Sequence, residues 1–119
     1  MKYVLCFGNP YIGGDDLVVN LVKDFKVEGY EFVCCRGPEE ILNYADKDFV
    51  LLDVAKGISE ITLIDDVNKL NFKNMISLHD FDLNFFLKLY DTLGKKVRII
   101  AVPMGYSVDK LKKEIKKFL

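Results

Sequence analysis

Near its start the chain reads Tyr3-Val4-Leu5-Cys6-Phe7, an apolar run without polar alternation. A strand with one face in water alternates, so an unbroken run predicts a strand covered on both faces, as in a sheet sandwiched between helix layers. Phe49 to Val54 is the most apolar of the predicted strands, with Asp53 as its only charge, and Val97 to Val102 supplies a further strand. Tyr30 to Cys35, rich in aromatic and β-branched residues, reads as the second strand in chain order.

Between the strands the spacing becomes helical. Val18, Leu21, Val22 and Phe25 form one stripe, with Asn20, Lys23 and Asp24 off it, and the helix is expected to end near Gly29. Pro38 suits the first turn of a short helix through Glu39, Glu40, Ile41, Leu42 and Tyr44. Leu83, Phe86, Leu87, Tyr90 and Leu93 mark a helix that opens near Asp80 and closes at Gly94. In the last helix Val108, Leu111, Ile115 and Phe118 face inward, and Lys110, Lys112, Lys113, Lys116 and Lys117 face solvent. Residues 57 to 78 read as a long connection containing a short edge strand at Glu60 to Ile64, and long connections in small domains are often functional. Strands alternating with helices predict an α/β fold: one domain over residues 1–119, a three-layer sandwich with a mostly parallel twisted sheet of about five strands and helices on both faces.

Composition narrows the function. A chain of 119 residues, half of them hydrophobic, can bury one core. Its 17 basic and 18 acidic side chains nearly cancel, which argues against nucleic acid or an anionic membrane as partner. No apolar stretch approaches the roughly 20 residues of a membrane helix, and the run after Lys2 lacks the pattern of a signal peptide. Three cysteines, two of them adjacent, predict reduced thiols in a cytoplasm rather than a disulfide framework. A monomer is the simplest expectation.

The chemistry-bearing positions are few. Gly8-Asn9-Pro10-Tyr11-Ile12-Gly13-Gly14-Asp15-Asp16 lies between the first strand and a helix, where a dinucleotide fingerprint would sit. It fails as one, because the second glycine of that fingerprint falls on Pro10, which has no N–H to offer, and two carboxylates repel a pyrophosphate. A nucleotide-binding, flavodoxin-like domain is therefore the weakest reading, and no organic cofactor is expected. One aspartate of the pair serves as a helix cap, leaving the other for a ligand or a catalytic role. Asp53, at the end of an apolar strand, is costly to bury unless it is paired, binds a cation or accepts from backbone N–H groups. His79 is the sole histidine, and a helix N-terminus beside it favours the neutral, metal-binding imidazole, although Asp80 opposes this. Ligands of such sheets sit beyond the carboxyl ends of the strands, which maps these positions to one rim. Two carboxylates and an imidazole there suit a divalent transition ion such as nickel, zinc or iron. Cys34-Cys35 is a candidate for soft metal or redox sensing, with core packing the preferred reading.

In these residues the chain resembles the hydrogenase maturation endopeptidases, which trim the C-terminal extension from nickel-iron hydrogenase large subunits. The resemblance rests on Gly8-Asn9 followed by Asp15-Asp16, on Leu51-Leu52-Asp53-Val54, and on Ser77-Leu78-His79 before a helix. It implies that Asp16, Asp53 and His79 contact nickel already held in the precursor, so the metal is carried by the substrate. It also implies an aspartic-type endopeptidase, with Asp16 and Asp53 catalytic and Asp16 the candidate base; alternatively the nickel itself polarises the scissile carbonyl. The partner implied is a hydrogenase large-subunit precursor, and the branch serving coenzyme F420-reducing hydrogenases accommodates the chain's departures from the family pattern. A non-catalytic, metal-sensing relative of the same fold is the alternative.

Overall fold

The computed structural model describes residues 1–7, 25–35, 37–64, 77–78, 91–94 and 97–119. Its strands are β1 (Lys2–Phe7), β2 (Tyr30–Cys35), β3 (Phe49–Lys56), β4 (Thr62–Ile64), β5 (Ser77–Leu78) and β6 (Ile99–Pro103). They form one sheet in the order β2-β1-β3-β6-β4, with β5 attached to β3. Neighbours among β2, β1, β3 and β6 are parallel, whereas β4 runs antiparallel to β6 at the far edge.

The unalternating sequence of the central strands has the predicted cause, because both faces of the sheet are covered. On one face Val4, Cys6, Val50, Leu52, Val54, Ile100 and Val102 pack against Leu111 and Ile115 of the C-terminal helical segment. On the other, Leu5, Phe7, Leu51, Ile99 and Ala101 pack with Ile41, and Leu93 joins them partly buried. Each buried leucine or isoleucine contributes about 1.5–3 kcal/mol relative to exposure.

Short helical elements supply the outer layers. The segment Pro38–Tyr44 is a 3-10 helix with Pro38 in its first turn, and the Glu40 side chain accepts from the Gly37 N–H at 3.1 Å. Residues 91–93 are helical, and Gly94 follows at φ +67°, a left-handed conformation that closes a helix at little cost only for glycine. The C-terminal α-helix (Val108–Glu114) starts at Ser107, whose hydroxyl accepts from the Lys110 N–H, and it tightens to 3-10 over Ile115–Phe118. The expected inward stripe holds: Leu111 and Ile115 are buried, and Val108 and Phe118 pack against the same core. At the end of that segment the Tyr30 hydroxyl donates to the main-chain oxygen of Leu119, tying the chain to the amino edge of β2. No described helix is long and apolar enough to cross a membrane.

Several boundaries differ from expectation: β4 begins at Thr62 rather than Glu60, and β6 runs from Ile99 to Pro103 rather than from Val97 to Val102. Strand β3 continues past Val54 to Lys56 because its backbone finds partners on both sides, Ala55 pairing with Pro103 of β6 and with Leu78 of β5. The two-residue β5 lies in what the sequence predicts as loop. Of the helix predicted over Val18 to Phe25 and on towards Gly29, residues 18–24 lie outside the described residues, and residues 25–27 are not helical, so the helix does not reach Gly29. Most of the helix opening near Asp80 also lies outside the described residues.

Candidate active site at the carboxyl edge of the sheet

From β1 the chain goes to β2 on one side and then to β3 on the other. That reversal makes the carboxyl ends of β1 and β3 a topological switch point, where open α/β sheets bind their ligands. Asp53 lies there. The register pairs Cys6 with Leu52, so the next position along sets Asp53 beside Phe7, the last residue of β1. On the other side Asp53 pairs with Ala101 of β6.

Asp53 is not the closing residue of its strand but the fifth of eight, and its exposure is 0%. Among the described residues it is the one buried charged side chain. Alternation along β3 puts it on the face of Leu51 and Ala55, above the sheet position held by Ala101. Ala101 shares that face and offers only a methyl group beside Asp53. This small residue inside an aliphatic strand is the sequence signal that reasoning from charges alone passes over. The Val54 N–H donates to Asp53 Oδ1 at 2.9 Å, which offsets part of the cost of burying the carboxylate and fixes its orientation.

Two further chain ends reach the same edge. Strand β1 ends at Phe7, from which the chain enters Gly8 to Asp16. Strand β5 pairs Leu78 with Ala55, and because β6 already occupies the other side of Ala55, β5 lies on the side of β3 that β1 vacates. His79 is the covalent neighbour of Leu78. Along β3 the levels of Phe7 and Leu78 are two positions apart, roughly 7 Å. Asp15, Asp16 and His79 lie outside the described residues. Among the described residues, no three His, Cys, Asp or Glu side chains are grouped to hold a metal ion.

The cysteines are free thiols that divide by environment: Cys6 and Cys35 are buried and Cys34 is exposed. The core reading therefore holds for Cys35 and not for Cys34, because β2 is an edge strand with an incompletely covered end. Burial pushes the Cys6 thiol well above its ordinary range, with the sulfurs of Cys34 and Cys35 adding to the shift. Cys35 is pushed up to about 12, chiefly by burial and then by the Glu40 carboxylate and Cys34. Burial keeps both thiols protonated near neutral pH, so neither is a candidate nucleophile for peptide cleavage, and either reacts only slowly. A separate cleft of about 260 Å³, lined in part by Lys2, Tyr3, Tyr30, Asp48 and Arg98, opens at the amino edge, away from Asp53.

The architecture has a solved counterpart. The crystal structure of hydrogenase 2 maturation peptidase from Thaumarchaeota archaeon SCGC_AB-539-E09 superposes with a TM-score of 0.52, covering 99% of this chain and 95% of the peptidase. The chain has the fold of a hydrogenase maturation peptidase. The two sequences are 14% identical, so it is the architecture that they share. No protein-family profile matches the sequence. No curated protein matches it either.

Proposed function

We propose that this protein is a maturation endopeptidase, removing the C-terminal extension of a nickel-iron hydrogenase large-subunit precursor in the cytoplasm. The observation that carries the reading is a fully buried carboxylate, Asp53, at the switch point of a fold shared end to end with a maturation peptidase. Nickel enters as part of the substrate, already seated in the precursor. Asp16, Asp53 and His79 are the residues assigned to meet it, and Asp16 is the base that takes a proton from water. The water oxygen then bonds to the scissile carbonyl carbon, the C–N bond breaks, and the proton passes to the leaving amine. Asp53 is held by β3 and the Val54 N–H, so its part is to present a fixed negative charge. The branch serving coenzyme F420-reducing hydrogenases is a cognate group that accommodates the chain's departures from the family pattern.

Complete burial of Asp53 and its bond to the adjacent N–H favour a second reading, in which the acid supports a binding domain that cuts nothing. Incubation with purified nickel-loaded precursor separates the two. Release of a short C-terminal peptide, abolished by Asp16→Asn, Asp53→Asn or His79→Ala in folded protein, is the expected result. A stable complex without release establishes the binder, and processing that survives all three substitutions refutes the site assignment.

A further inference from the structure

Strands β1 and β2 are parallel, with Cys6 the register partner of Cys34 and Phe7 the partner of Cys35. Register partners in a parallel pair project to the same face, so the Cys6 and Cys34 side chains stand side by side on the face covered by the C-terminal helix. Cys35 belongs to the opposite core. The two adjacent residues of the sequence thus point apart, whereas two residues 28 positions distant point together. Neighbouring strands are about 4.8 Å apart, within the roughly 4.4–6.8 Å over which a disulfide joins two Cα atoms. Exposure is also divided between the partners, Cys34 being exposed and Cys6 buried.

We propose that Cys6 and Cys34 form a cross-strand dithiol that a peroxide closes to a disulfide, an oxidative modification site separate from the acidic rim. The Cys34 sulfur attacks one peroxide oxygen, the O–O bond breaks, one water leaves, and Cys34 becomes a sulfenic acid. The Cys6 sulfur then displaces the sulfenic hydroxyl, the S–S bond forms, and the Cys6 proton leaves with the hydroxyl as a second water. The two thiols lose two electrons in total and the peroxide gains them. Burial of Cys6 makes the second step the slower one, and the product leaves no charge in the core. The bond fastens edge strand β2 to β1 immediately before the Gly8 to Asp16 stretch.

The test is native full-length protein treated with stoichiometric hydrogen peroxide, then intact mass and non-reducing peptide mapping. The expected result is a loss of about 2 Da, with Cys6 linked to Cys34 by fragmentation between residues 34 and 35. Cys34→Ser, an exposed substitution, abolishes the loss, and Cys35→Ala retains it. A link to Cys35, a loss that persists in Cys34→Ser, or wild-type protein that only gains oxygen overturns the proposal. Because fragmentation of the wild-type chain locates the link by itself, the test does not depend on either variant folding.

Discussion

Asp53→Ala and Asp53→Asn are expected to be equally inactive and unequally stable. Asparagine keeps an oxygen where Oδ1 accepts from the Val54 N–H, while alanine removes that buried hydrogen bond. A buried hydrogen bond of this kind contributes about 1–3 kcal/mol. The alanine variant should therefore fall below the asparagine variant by that amount, with a further cost for the void left at a position of 0% exposure. For a domain of this size about 1 kcal/mol moves the melting temperature by roughly 4 °C, so the gap between the variants is roughly 4–12 °C. Urea unfolding followed by circular dichroism measures it, with precursor processing assayed in parallel on both proteins. Equal stability within about 0.5 kcal/mol refutes the role given to the Val54 bond. Normal processing by Asp53→Asn refutes the catalytic role of the charge.

Ser107→Ala removes the hydroxyl that accepts from the Lys110 N–H at 3.3 Å and should cost about 1 kcal/mol, recovered by Ser107→Asp; equal urea midpoints for all three proteins contradict the cap assignment. Alkaline pH should destabilise the fold through the buried thiols. Cys35 stays protonated in the folded chain up to about 12, but its unfolded form ionises near the ordinary thiol value of 9.0, so the unfolded state releases its proton first and stability falls as pH rises between those values. Cys35→Ala should flatten part of that decline, and an unchanged alkaline limb in pH-dependent melting would show the thiol to be unimportant there.

The sequence discloses those elements whose limits are set locally. β1 and β2 carry the predicted boundaries because Gly8, Gly29 and the Arg36-Gly37-Pro38 break punctuate the chain on either side. The inward stripe of the last helix is legible for the same reason, as its period is written in four apolar residues. What escapes the sequence depends on pairing between distant segments. β3 extends because Pro103 and Leu78 meet Ala55, and nothing within residues 49–56 announces either partner. The depth of Asp53 follows from that extension: a strand-end acid by sequence becomes an interior one by pairing. Cys34 is misread as core because a run of strand residues does not reveal which strand will be the edge. At the candidate site, Asp53 and the chain ends at Phe7 and Leu78 reach one edge as the α/β pattern predicts, while the placement of Asp16 and His79 lies outside the described residues.

The seating of Asp53 inside a fully paired strand also bears on how such a protein can diversify. One residue added to or lost from β3 ahead of this position would turn the carboxylate to the opposite face and exchange the two cores, a change the fold cannot absorb. A connecting loop at the rim can be lengthened for a small entropic cost. The acid is thus a surveyor's benchmark for the molecule, fixed while the ground around it is redrawn. A fold of this kind can take up new surface chemistry by rewriting the connections beyond its strand ends, with the distance from benchmark to sheet unchanged.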